Sequence, residues 1–159
     1  MIALTSIKSA RGPLLWLFAM VWACAVATAQ AQQAGSKSVS VWSGVYTKAQ
    51  SQRGEELHAD VCIMCHGRRL NGAGQAEMPP SPAIAGDTFL RKWSGGNLAA
   101  LFVIVRHKMP IDSPGMLTDQ QSADALAHML AVSGIPPGAK ELPTDLGALA
   151  NISIEAQPK

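Results

Sequence analysis

The sequence predicts an all-α domain of three or four short helices. Three observations carry this. Stretches of helical periodicity open on residues able to cap a helix. No run alternates apolar and polar residues as a half-buried strand would. The most chemically loaded stretch, "ADVCIMCHGRRL" at residues 59–70, continues directly from one of the helical patterns.

The first pattern spans residues 47–61, with Thr47 as N-cap and Gln50 as its capping-box partner. Ala49, Arg53, Leu57 and Val61 recur on one side. Gly54 interrupts this helix at a cost of up to ~1 kcal/mol against Ala. Such a glycine permits another element to come close. Residues 67–87 are rich in Gly and Pro and read as a long irregular loop, a length uncommon in compact domains unless it has a function. "DTFLRKW" predicts a short helix capped by Asp87. "NLAALFVIVRHK" predicts a second, capped by Asn97 and ended by Pro110. Its nearly continuous apolar run from Leu98 to Val105 implies deep burial. After a loop at "IDSPGML", residues 118–134 predict a helix with Thr118 as N-cap, Gln121 as capping-box partner and Gly134 beyond its end. Ala123, Leu126, Ala127 and Leu130 form its inner face. The remainder, to Lys159, shows no clear periodicity and no strand pattern.

The N-terminus reads as an export signal. Lys8 and Arg11 precede an uncharged apolar run from Gly12 to about Ala27, and small residues follow at Ala27-Thr28-Ala29 and Ala29-Gln30-Ala31. The run is shorter than the ~20 residues of a spanning helix, which weighs against a retained anchor. Lipidation at Cys24 is a further alternative that its flanking residues fit poorly. The expected organisation is a signal peptide at 1–31, a linker at 32–45, one domain at 46–142 and a tail at 143–159. Without Lys8 and Arg11 the chain has 11 basic and 11 acidic residues. No basic run remains to suggest nucleic acid. The expected location is the periplasm, with membrane contact only through the signal before cleavage.

A domain this small, with only eight aromatic residues in the whole chain, would have a marginal core. A large apolar cofactor would fill it. Cys62-x-x-Cys65-His66 is the attachment pattern of c-type haem. Each thiol adds to one vinyl group of the porphyrin, and the adjacent histidine supplies an axial nitrogen to the iron. The competing readings are weaker. A structural zinc site needs four ligands, and His58 and His107 would have to join the cysteines without any recognisable spacing. A thioredoxin-like pair needs a strand–helix context that is missing. A plain disulfide would close a very small loop and constrain little.

The sixth ligand is sought among the methionines. Met64 lies inside the attachment loop, Met129 mid-helix, and Met78 only a short way past His66. Met109 precedes Pro110, which favours an extended conformation at the end of a helix, and it is the preferred candidate. Met116 and His107 remain open alternatives.

With "CIMCHG", "PAIAG", "FLRKW", "KMP", "SPGMLTDQQ" and "SGIPPGAKELP" in this order, the chain from about Tyr46 to Pro143 resembles a class I cytochrome c domain. Its opening, "VWSGVYTKAQSQRG", is similar to small exported bacterial cytochromes linked to dehydrogenases. The resemblance implies one covalently bound haem c among three helices, with Cys62, Cys65, His66 and Met109 as cofactor-binding residues and His66 and Met109 on the iron. It implies that Gly54 sits where the first and last helices cross, beside Ala127 and His128. It makes Pro82 the backbone acceptor for the His66 ring and Trp93 a partner for a haem propionate. It departs from the family at His128, where an aromatic is usual. The implied role is one-electron transfer, not catalysis, from a dehydrogenase to an oxidase or another cytochrome. The alternatives are a haem enzyme whose Met109 dissociates, with peroxidase- or thiosulfate-type chemistry, and a redox or gas sensor. Arg68, Arg69, Arg91 and Lys92 are expected either to line a basic patch or simply to be solvated.

Overall fold

The structure is a computed structural model that describes residues 38–73, 76 and 81–158. The expected signal peptide and its expected cleavage site, residues 32–37 of the expected linker, and Met78 lie outside the described residues. Among the described residues no helix is long and apolar enough to cross a membrane.

Helix α1 (Lys48–Leu57) opens on Thr47, whose hydroxyl accepts the Gln50 amide. It widens into a π-helical turn, His58–Cys62, and closes with one further turn, α2 (Ile63–His66). Then come α3 (Gly86–Trp93), α4 (Leu98–Lys108), α5 (Asp119–Val132) and the short α6 (Leu146–Ala150). The caps at Asn97 and Thr118 form as expected, the second as a complete capping box with Gln121.

Helices α1 and α5 form the central crossing. The face of α1 turned inward carries Gln50, Gly54 and His58. The expected face differs: Ala49 and Arg53 are exposed and Leu57 and Val61 half-buried. The reason is steric and polar together. Only Gly54 lets the helices come this close. Gln50, fully buried, is occupied by backbone. Its amide donates to the Leu142 carbonyl at 3.0 Å, and its oxygen accepts the Leu142 N–H at 2.7 Å. Gln50 therefore supplies no capping-box bond to Thr47. Arg53 reaches over the crossing to a bidentate pair with Asp124, both contacts 2.9 Å, and to Glu141 at 2.9 Å. These two carboxylates raise its pKa further.

Two expectations about the other helices change. Ala85, not Asp87, is the N-cap of α3. Asp87 stands in the first turn instead, where a carboxylate complements the helix dipole, and faces Arg91 at 4.0 Å. Helix α4 buries one face only. Leu98, Leu101 and Phe102 are in the core, but Val103 and Ile104 are 39% and 37% exposed, because no described element covers the outer face.

Residues 38–45 and 143–158 belong to the packed body, where a linker and a tail were expected. Strand β1 (Val39–Ser40) pairs in parallel with β2 (Ile152–Ser153). Val41, Leu149, Ile152 and Ile154 all enter the core. Ser40 donates a hydrogen bond to the Glu155 carboxylate. Tyr46 donates to the Ile135 carbonyl at 2.5 Å, pinning the chain after α5 against the start of the domain.

Candidate functional site

The site is built on the continuous stretch α1–π-turn–α2. Single π-helical turns inside helices are frequent at functional sites, and this one leads straight into Cys62. Cys62, Cys65 and His66 are related as i, i+3 and i+4, so they share one helical face. Gly67 then ends the helix with φ +73°, where any side chain would run into the Ala73 carbonyl. Its N–H closes the last turn on the Ile63 carbonyl at 2.9 Å.

His66 is buried at 9% exposure. Its Nδ1 lies 3.3 Å from the Pro82 carbonyl oxygen. A carbonyl only accepts, so Nδ1 carries the hydrogen and Nε2 keeps its lone pair. Burial also holds the His66 pKa below its usual value, more than the Pro82 bond raises it. The ring is a neutral, oriented imidazole, the form that binds a metal.

Cys62, Cys65, His66 and Met109 all line a single cavity of about 790 Å³. That lies within the ~300–1,000 Å³ typical of ligand and cofactor sites. Much of the remaining wall is apolar, with Leu70, Ile84, Val105, Leu117 and Met129. Met109 is the residue at the C-terminal boundary of α4 and is extended, φ −115° and ψ 150°. Met64, Met116 and His58 also face the cavity. Met116 is 58% exposed.

The donor set fits a covalently held haem. Cys62 and Cys65 are free, half-buried thiols. Burial, followed by the neighbouring Cys65, pushes the Cys62 thiol up to about 11. A redox pair of the thioredoxin kind needs the opposite shift. A zinc site fits no better: among the described residues no three or more His, Cys, Asp or Glu gather as a metal ion would require. His107 is exposed near the end of α4. An apolar chamber with two thiols and one neutral imidazole suits a porphyrin with an iron.

The family model for cytochrome c matches residues 51–133, just over half of the chain. The chain belongs to the cytochrome c family. Neither the curated proteins nor the solved structures contain a match to it. Membership brings a covalently bound haem c with its iron and haem-based electron transfer, and the mainly helical architecture agrees with it.

The matched region of this cytochrome contains every residue singled out from the sequence as a cofactor contact. The Pro82 acceptor is where the resemblance put it. Gly54 does sit at the helix crossing, where a Cβ would first meet the Asp124 carbonyl and the His128 Cβ. Trp93 is not among the described residues lining the cavity. It packs against Phe89, ring centroids 6.5 Å apart.

Two residues escaped the sequence reading as parts of this site. His58 is buried in the cavity wall and donates from Nε2 to the Gly67 carbonyl at 3.1 Å. Its position four residues before Cys62 was the available signal. Leu70 is buried in the wall with φ +52°, a left-handed conformation that a leucine adopts only when its surroundings enforce it. It is held by a bond from its own N–H to the Gly67 carbonyl at 3.1 Å and one from the Ile84 N–H to its carbonyl at 2.8 Å. No local sequence signal marks a strained leucine.

Proposed function

We propose that this cytochrome carries single electrons in the periplasm as a class I cytochrome. Cys62 and Cys65 hold the haem, and His66 and Met109 ligate the iron. The observation that carries this reading is the convergence of all four side chains on one cavity, with His66 already neutral and oriented by Pro82. When bound, the haem supplies a reversible one-electron couple, and a thioether ligand raises its potential.

Met109 is preferred over the other methionines in the wall for physical reasons. Met129 is 5% exposed and belongs to the core. Met64 sits within α2, between the two cysteines. Met116 is largely in solvent. Met109 is half-buried at the point where α4 gives way to extended chain. Ligation on both sides would leave no open position for small-molecule chemistry, which supports a carrier over a haem enzyme. Periplasmic location rests on the export pattern before Ala31. A dehydrogenase donor, with an oxidase or another cytochrome as acceptor, rests on the resemblance of the opening segment, and co-purification from native cells tests it.

The attachment is tested by Cys62→Ala and Cys65→Ala together. The expected result is loss of covalent haem and little folded protein, because the helices otherwise enclose an empty apolar chamber. A stable haem-free fold with native helix content contradicts the reading. So does ready binding of carbon monoxide to the reduced wild type.

A further inference from the structure

Two histidines meet at the α1–α5 crossing. The rings of His58 and His128 lie with centroids 5.3 Å apart, tilted by 35°. They are 6% and 8% exposed, and both form part of the cavity wall. The crossing holds them there: a Cβ on Gly54 would come within 2.8 Å of the His128 Cβ, so α5 has no slack against α1. His58 is committed to the Gly67 carbonyl. No described residue hydrogen-bonds the ring of His128, so it can take a proton without breaking a bond.

We propose that His128 takes up a proton from solvent when the haem in this cavity accepts an electron, while His58 stays neutral beside it. The electron comes from the one-electron donor protein and the proton from water. Reoxidation releases both. The site thus changes its electron count with little change in net charge. The inference rests on haem-based electron transfer in this cavity and not on which side chain is the sixth ligand.

The electrostatic reason is direct. An electron added to the iron favours a nearby positive charge, and a buried histidine in the cavity wall is the group placed to supply it. Two rings this close do not both charge, since the second proton meets the first. The ionisable groups acting on His128 are His58 of the π-helical turn, which disfavours its charge, and Glu55 of α1, which favours it; burial, the largest effect, works with His58 against Glu55 and lowers its pKa. Asp124, one turn earlier on α5, is bound by Arg53. Asp60 of the π-helical turn lines the same cavity. The basic groups of α4 are Arg106, His107 and Lys108 in its last turn, and Arg106 is paired with Asp119.

The consequence is a reduction potential that falls as pH rises, between the His128 pKa of the oxidised protein and the higher one of the reduced protein. The limiting slope is a tenfold change in the reduction equilibrium per pH unit, ~59 mV for one electron. Potentiometric titration of the holoprotein from acid to neutral pH tests this, with His128→Phe beside the wild type. The expected result is a sloping region in the wild type that His128→Phe flattens. NMR titration of the histidine ring protons, in the oxidised and reduced wild type, needs no variant and should show a higher His128 pKa in the reduced state. Equal His128 pKa values in the two states overturn the proposal, as does an unchanged slope in His128→Phe. A reversible one-electron haem couple that persists through either outcome shows that the electron-transfer reading stands separately.

Discussion

Gly54 on α1 rests directly on the Asp124 carbonyl of α5, closer than any side chain allows. The same turn of α5 sends the Asp124 carboxylate to Arg53, so the close contact and its polar clasp come from adjacent residues. The crossing also sets the depth of the cavity wall at His128. Gly54→Ala gains up to ~1 kcal/mol of helix propensity but forces backbone apart, where overpacking typically costs ~1–3 kcal/mol and occasionally more. The expected outcome is net destabilisation, read as a lower denaturant midpoint of the holoprotein. A midpoint equal to or above wild type would show that the helices can separate freely.

Gln50 and Thr47 make separable contributions, although both stand at the start of α1. Gln50→Leu leaves the buried Leu142 N–H and C=O without their partners, a loss of ~1–3 kcal/mol for each unsatisfied group. Thr47→Ala removes one capping bond at the helix start, typically ~1 kcal/mol. Gln50→Leu should therefore lower the unfolding midpoint more than Thr47→Ala. The reverse order would mean that Gln50 serves the cap and not Leu142.

What could be read in advance followed from local chemistry. Thr47, Asn97 and Thr118 announce helices because a capping side chain needs only residues two or three positions away. Cys62, Cys65 and His66 are legible for the same reason: their common face is set by helical spacing alone. Gln50 misled because its preferred partner, Leu142, is distant in sequence, and a buried backbone pair outweighs an exposed capping bond. The β1–β2 pairing is two residues long on each side, too short to alternate visibly, and its register comes from packing of Val41, Ile152 and Ile154. The apolar run of α4 implies burial all round, yet described elements cover only the face of Leu98, Leu101 and Phe102, because hydrophobicity alone does not say how many faces of a helix find a partner. The meeting of His58 with His128 depends wholly on the tertiary crossing.

Acid should destabilise the oxidised holoprotein through this same pair. Burial is the leading cause that lowers the pKa of both His58 and His128 below 6.5 in the folded chain. The unfolded chain then binds more protons than the folded one, so stability rises with pH in that window. Their contribution is complete above about 6.5 and is lost as pH falls toward the folded values. Denaturant midpoints measured down the acid limb should decline. His128→Phe, which keeps a ring at the crossing, should make the decline shallower. An acid limb identical in His128→Phe and wild type would assign the sensitivity elsewhere.

Met109 should set both the spectrum and the potential. The residue stands at the boundary of α4, extended, with its side chain in the cavity wall. Met109→Ala removes the thioether and opens the iron, so carbon monoxide should bind the reduced protein and the potential should fall. Met109→His should retain six-coordination if the loop adjusts, yet still lower the potential, because imidazole favours the ferric state more than a thioether does. Met116→Leu should leave the spectrum nearly unchanged, since that side chain is 58% exposed on the rim. The oxidised wild type should carry a weak sulfur-to-iron absorption in the far red. Only the Met109 variants should remove it. If Met116→Leu abolishes the band while Met109→Leu keeps it, the ligand comes from the loop after Pro110, and the extended boundary of α4 is packing alone.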